Sequence, residues 1–227
     1  MKSLKIGMLF LITGMLTNSA FGQNTDWIWR PVVSYSWKSS DQLSYSTKLE
    51  MFNSVTDFDN QEAIQYIEPQ FSFSYSLSPR VKLGGGFYSR WVDPLYSGYA
   101  YEQRLLQQIG FVTYLGDRRI AHRARIEQRF RNTNYLNRFR YQLSYDFPLQ
   151  GDRLDPGENY ILMYNDAMVA FNKSTFFGEN RAGVGLGWYF NSKRKFELGF
   201  SYRTKNIFTD RDLGHVLLLN TLFYFNR

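Results

Sequence analysis

Residues Arg119 to Phe130 read RIAHRARIEQRF, and residues Tyr135 to Phe147 read YLNRFRYQLSYDF. In both stretches apolar and polar residues alternate, and a period of two places the two sets on opposite faces of a β-strand. The charged residues of each stretch share one face, while the large apolar residues fall mainly on the other. The two stretches therefore predict a β-hairpin with one charged face and one apolar face.

The same alternation extends over most of the chain. Its other segments are Trp27–Trp37, Leu43–Met51 and Ile67–Tyr75, and those near 81–91, 101–113, 160–171, 181–190, 196–203 and 215–225. The alternation in 160–171 does not reveal which face is which. In the other ten segments all 19 charged residues lie opposite the aromatic and aliphatic set. No helical period and no domain linker interrupts the pattern.

This alternation fits either a soluble β-sandwich or a barrel that spans a membrane. Segments of about ten residues are long for soluble strands but match strands that cross a bilayer. Exclusion of charge from lipid also explains the one-sided charges. We therefore predict an all-β fold, a single-domain antiparallel transmembrane β-barrel over residues 23–227.

The segments and their connections predict the topology. Short turns are expected at 78–80, 116–117 and 191–195, and longer loops near 54–63, 92–99, 172–180 and 206–214. The alternation yields eleven segments, whereas bacterial single-chain barrels have even strand numbers. We therefore expect ten or twelve strands, with 148–180 or the first strand misread.

The first 22 residues have the pattern of a secretory signal peptide. Lys2 and Lys5 precede the apolar stretch Ile6–Leu16, and small residues precede Gln23, so cleavage is expected before Gln23. An uncleaved N-terminal anchor is the alternative, which the shortness of the apolar stretch disfavours. The chain has no Cys, which excludes a disulfide scaffold, a zinc–thiolate site and a cysteine nucleophile.

Three charged elements in the middle of the chain carry a family resemblance. Tyr101–Leu105, Ile120–Phe130 and Asn137–Tyr141, with Tyr164–Asp166 and Asn180–Arg181, resemble the bacterial outer-membrane barrels catalogued as domain of unknown function 2490. The resemblance covers nearly all of the chain after the signal peptide. It implies an outer-membrane barrel of a Gram-negative cell, with membrane lipid and the barrel-insertion machinery as partners. It implies no ligand, reaction or catalytic residue.

A basic cluster is predicted on the lumen side of the strands. Its members are Arg104, Arg119, Arg123, Arg125, Arg129, Arg138 and Arg140, with Glu102, Glu127 and Asp146 as acidic partners. Over the ten segments the polar face carries 13 basic and six acidic residues, and this excess could select small anions. The alternative is that these side chains pair and fill a narrow barrel. The sequence therefore predicts either a structural barrel or a narrow anion pore.

Other chemical roles find weaker support in the sequence. Gly84–Gly86 and the alternate glycines Gly183–Gly187 lie within strands and match no phosphate-binding motif, so we expect them to make room for long side chains. A lipid-modifying enzyme would have to use His122 or His215, the two histidines, but no Gly-x-Ser-x-Gly motif occurs. We predict no catalytic residue, cofactor or metal site. The export pattern argues against nucleic acid as a partner despite the net charge of +7. A surface-binding role for the loops stays open.

The last strand predicts an assembly signal. Outer-membrane barrels usually finish on an aromatic residue that the insertion machinery recognises, and the family resemblance implies the same here. Phe225 is the last aromatic residue, and Asn226 and Arg227 follow it. We expect Phe225 to be recognised and the last two residues to be a tolerated tail.

Overall fold

The computed structural model describes residues 25–55, 64–95, 100–116, 118–132, 134–151, 153–209 and 211–227. The predicted signal peptide, residues 1–22, and the expected cleavage position before Gln23 lie outside these residues. The described residues form β1 (Thr25–Lys38), β2 (Leu43–Ser54), β3 (Ile64–Ser78), β4 (Val81–Val92), β5 (Ala100–Leu115), β6 (Arg118–Arg131), β7 (Asn134–Pro148), β8 (Asn159–Phe171), β9 (Phe176–Asn191), β10 (Arg194–Ile207) and β11 (Gly214–Asn226). Among them no helix is long and apolar enough to cross a membrane.

The strands form a closed barrel, and its closure corrects the predicted strand number. Each strand pairs antiparallel with the next, and β1 pairs with β11 in parallel, with Trp27 opposite Leu217 and Tyr35 opposite Phe225. The expectation of ten or twelve strands is wrong, because eleven strands close when the last pair is parallel. A parallel ladder also satisfies the backbone donors and acceptors of both edges, so closure does not require an even number.

The end of the chain takes part in this closure. Phe225 points outward between β1 and β10, opposite Tyr35 and Arg194. Asn226 is the last residue of β11, and the backbone N–H of Arg227 donates to the carbonyl oxygen of Ser36 at 2.9 Å. Both residues beyond Phe225 are therefore held to neighbouring chain segments.

The charged face of the strands is the inside of the barrel. On β5, Glu102 and Arg104 are each 3% exposed, whereas Leu105 is 47% exposed. On β6, Glu127 is 1% exposed and its neighbour Ile126 is 48% exposed. Large aliphatic and aromatic side chains therefore cover the outside, and charged side chains fill the inside.

The two ends of the barrel differ. Strands β2, β4 and β10 end, and strands β3, β5 and β11 begin, at one end of the barrel, called here the loop end; residues 55–63, 93–99 and 208–213 connect them in sequence. The connections after β1, β3, β5 and β9 lie at the opposite turn end and are short. The predicted asymmetry is incomplete, because 172–175 is a short connection at the loop end and 149–158 a longer one at the turn end. The predicted loop 172–180 is wrong in its second half, since β9 begins at Phe176.

A small apolar core lies inside the loop end. Ile28, Phe52, Tyr66, Val216 and Leu218 are buried against one another. The rings of Phe52 and Tyr66 stack with centroids 4.2 Å apart. These inward side chains come from β1, β2, β3 and β11, so they fill the barrel beside its closing strand pair.

Candidate functional site: the barrel interior

Ion pairs link the first half of the barrel wall from the inside. The carboxylate of Glu68 lies 2.5 Å from Nε of Arg90 and 3.2 Å from Nη1 of Arg104. Glu102 accepts hydrogen bonds from Arg104 and, at 3.0 and 2.8 Å, from two nitrogens of Arg129. Because strands β3 to β6 present these groups at one level, each acid is shared by two arginines.

Two further acids extend this network around the barrel. Glu127 lies 3.5 Å from Arg125 and 3.9 Å from Arg104. Glu179 lies 2.7 Å from Arg203 on β10 and 3.9 Å from Arg138 on β7. We call the ion pairs of Glu68, Glu102, Glu127, Glu179 and Asp166 the interior network.

Asp166 and Glu179 were not among the predicted acidic partners. Nε of Arg140 donates to both carboxylate oxygens of Asp166 at 2.8 Å, and its Nη2 donates as well. The phase of β8 is hidden in the sequence because its inward positions also include the apolar residues Leu162 and Met168. Glu179 fell within a predicted loop. Extending the alternation of 181–190 back by two residues would have placed Glu179 on the same face as Arg181, whereas the sequence holds no such signal for Asp166.

The structure divides the predicted basic cluster. Arg104, Arg125, Arg129, Arg138 and Arg140 belong to the interior network. Arg119 and the predicted partner Asp146 are exposed toward the turn end. Within the described ranges neither forms an ion pair within 4.0 Å. Arg123 points inward and donates to Gln142, but no carboxylate of a described residue lies within 4.0 Å of it.

A cavity of about 630 Å³ lies inside the barrel. Serines, among them Ser34, Ser46 and Ser72, form part of its wall, and small side chains there leave room opposite the arginines. The charged residues lining it are Arg30, Lys48, Arg90, Arg104, Arg123, Arg125, Arg129, Arg138, Arg140, Arg181, Lys195 and Arg203, and Glu50, Glu68, Glu127, Asp146, Glu179 and Glu197. Even when Glu102 and Asp166 behind the lining are included, the basic residues outnumber the acids by four. The cavity is therefore suited to an anion.

Two of the predicted inward glycines make room for tyrosine rings. A Cβ at Gly183 would lie 2.4 Å from the ring of Tyr164, and one at Gly187 would lie 2.2 Å from the ring of Tyr160. Both tyrosines come from the neighbouring strand β8. The expectation that these glycines accommodate long side chains is confirmed at both positions.

His122 lies on the outside of the barrel near the turn end. Its Nε2 is 2.8 Å from the hydroxyl of Thr113, its Nδ1 is 2.7 Å from the hydroxyl of Tyr141, and its ring stacks on Phe111. His215 is 2.5 Å from the hydroxyl of Tyr202. No carboxylate of a described residue contacts either histidine. In the described part of the chain no group of three acids or histidines could hold a metal ion.

A comparison with protein families shows which family the chain belongs to. Residues 22–213 match the model described as Protein of unknown function (DUF2490). This match covers most of the chain, so the protein belongs to that family, and the resemblance seen in the charged strand motifs is confirmed. No curated protein matches the chain.

Proposed function

We propose that this family member is an outer-membrane β-barrel of a Gram-negative bacterium, exported through the secretory pathway. The observation that supports the proposal is the inverted polarity of the barrel, with ion pairs inside and large apolar residues outside. Soluble monomers rarely expose apolar patches above a few hundred Å². A continuous apolar exterior instead suits a lipid environment, where strand backbones must be paired all round.

The outer surface is apolar over its whole height, and its aromatic residues lie at both ends and also, as Phe71 and Phe139 do, at mid-strand. Exposed aromatic residues lie toward the loop end at Trp27, Trp29, Trp91, Phe130 and Tyr135, and toward the turn end at Tyr75, Tyr114, Phe147, Phe190 and Phe225. Exposed aliphatic residues such as Leu49, Leu105 and Ile126 lie between them. Strands of 12 to 16 residues are long enough to cross a bilayer when tilted. Membrane lipid and the barrel-insertion machinery, which would recognise Phe225, are the partners this role requires.

Inside the membrane the barrel would act mainly as a closed structural element. The interior network and the apolar core fill the loop end, and each is costly to disrupt. The cavity with its excess of basic residues would admit small anionic solutes from the solvent. We therefore favour a mostly closed interior with a narrow path for anions over an open pore.

Fractionation and gel migration test the membrane assignment. Membrane fractions should contain a protein beginning near Gln23. The unboiled protein should migrate differently from the boiled one on a detergent gel, because a closed barrel resists unfolding in detergent. A cytosolic, uncleaved product with identical migration in both states would overturn the proposal.

Conductance in planar bilayers tests the path. The wild-type barrel should conduct little, and its residual current should favour chloride over potassium, with the preference fading at high salt as screening grows. A steady, cation-selective current would contradict an anion path. A large anion-selective current would show that the barrel is an open pore and would overturn the mostly closed interior.

We do not propose an enzymatic role. The arrangement of Thr113, His122 and Tyr141 resembles a hydroxyl–imidazole pair, which makes a lipid-modifying enzyme the second candidate. Neither ring nitrogen of His122 contacts a carboxylate of a described residue, and both form hydrogen bonds with hydroxyl groups. We therefore assign His122 the role of an anchor at the membrane interface. Loss of phospholipid hydrolysis by the purified barrel on His122→Ala would reverse this preference.

A further inference from the structure

Arg181 is a buried cation that no described residue binds through a hydrogen bond or an ion pair. It points inward from β9, is 7% exposed, and lines the cavity. Its Nε is fully buried without a hydrogen-bond partner, and among the described residues its guanidinium forms no hydrogen bond or ion pair. An uncompensated charge in such a place is costly to bury.

The acids beside Arg181 are held by other arginines. Asp166, its register partner on β8, is bound by Arg140. Glu179, two residues away on the same face, is bound by Arg203 at 2.7 Å. The nearby arginines Arg30, Arg140 and Arg203 repel Arg181, while Asp166 and Glu179 attract it electrostatically but form their ion pairs with other arginines. Pairing inside the protein therefore leaves positive charge at this point of the wall.

Two further donors line the same cavity as Arg181. Tyr164 comes from β8, and its hydroxyl forms no hydrogen bond with a described residue. Arg123 also lines the cavity and lacks a carboxylate within 4.0 Å. A planar guanidinium binds two oxygens of one ligand in a fork, which favours a phosphate, sulfate or carboxylate group over a spherical halide.

We propose that the cavity binds a small oxyanion, of the phosphate class, on Arg181 with Tyr164 and Arg123 lining the same space. This deepens the proposed anion path and rests on it. The cavity volume exceeds that of an inorganic phosphate ion, so a phosphomonoester of a small polyol would also fit. The oxyanion would supply the hydrogen-bonded, negatively charged partner that no described acid provides within 4.0 Å of Arg181.

The stability of variants without ligand separates a binding residue from a structural one. If Arg181 awaits an anion, Arg181→Gln should raise the urea midpoint of the refolded barrel in phosphate-free buffer, because it removes repulsion from three arginines. Arg181→Met, which keeps an unbranched side chain without charge, should do the same. Arg129→Gln is the control and should lower the midpoint, because it leaves Glu102 with one arginine fewer. A lower midpoint for both Arg181 variants would overturn the proposal.

Ligand titration gives the second test. Sodium phosphate, at constant ionic strength maintained with sodium chloride, should raise the unfolding midpoint of the wild-type barrel in a saturable manner. The response should weaken at least about tenfold in apparent affinity in Arg181→Gln and persist in Arg129→Gln. No saturable response in the wild type, or an equal response in Arg181→Gln, would also overturn the proposal.

The choice of probe distinguishes a free phosphate ion from an organic phosphate as the ligand. The choice of sample keeps the test of the binding site separate from the test of the membrane assignment. Tighter binding of glycerol 3-phosphate than of inorganic phosphate would identify an organic phosphate as the ligand, and the reverse order would identify the free ion; both orders support the site. The measurements use refolded barrel in detergent micelles. A negative result for phosphate binding therefore does not affect the membrane assignment. A negative result for fractionation or conductance does not affect the interpretation of the binding measurement.

Discussion

Removing the charge of Asp166 should destabilise the barrel far more than breaking an exposed ion pair at its surface. Asp166 is 0% exposed and is the only acid within 4.0 Å of Arg140 among the described residues. Asp166→Asn keeps the size and polarity of the side chain but leaves Arg140 as a buried, uncompensated cation beside Arg181.

The structure sets the size of this effect. Breaking a buried ion pair by removing one partner costs about 3–5 kcal/mol. At about 1.4 kcal/mol per factor of ten, the unfolding equilibrium should shift by roughly two to three and a half powers of ten. Lys205→Gln is the matched surface control. It breaks the 3.6 Å pair with Asp26, whose side chain is 60% exposed, and should cost about 1 kcal/mol or less.

Equilibrium urea unfolding in lipid vesicles or micelles, followed by tryptophan fluorescence, measures both costs. Replacing the whole pair, with Arg140→Met and Asp166→Leu together, should recover much of the stability, because neither member of the pair is then left buried without the other. The reasoning is refuted if Asp166→Asn costs no more than Lys205→Gln.

Three further outcomes are expected from the outer face, the glycine positions and the last strand. In lipid vesicles Phe139→Arg should cost about 2–4 kcal/mol of unfolding free energy and inward Ser144→Arg much less; equal penalties would reject a lipid-facing exterior. Gly187→Ala should cost about 1–3 kcal/mol, since its Cβ would meet the ring of Tyr160. The penalty should shrink when Tyr160 is Ala, and an unchanged penalty would assign it to the backbone instead. Phe225→Ala should reduce the fraction of heat-modifiable barrel in the membrane, and wild-type yield would remove the assembly role from Phe225.

Much of the fold could be predicted because the two faces of a strand follow directly from the alternation of neighbouring residues. The eleven segments of alternation coincide with the eleven strands, and the inward set on β5, β6 and β7 is the set predicted from charge. The strand number was predicted less well because the parallel pairing of β1 with β11 joins residues about 190 positions apart. No local pattern records such a pairing.

The site could be predicted only in part for a related reason. A strand's alternation shows which residues share a face, but the partner of each charge depends on register and on cross-barrel distance. Arg138 forms an ion pair with Glu179 across an intervening strand, whereas Asp146, although it lies on the predicted face, has no arginine of the described residues within 4.0 Å. In the sequence, Arg181 has the same pattern as every other inward arginine. The structure leaves it without an ion pair among the described residues because Asp166 pairs with Arg140 and Glu179 pairs with Arg203.

The sequence by itself determined that the chain is built of long amphipathic strands, with the charged residues of ten alternating segments on one face, because alternation with a period of two is a property of neighbouring residues. It did not determine which face is inside, since a period of two is the same for a soluble sandwich and for an inverted barrel. The tertiary structure decided this by closing the sheet: closure gives one face a confined interior and the other an open exterior. The confined face is the charged one, so the arginines and acids pair with each other along and between nearby strands of the inner wall, and the apolar side chains lie on the outside.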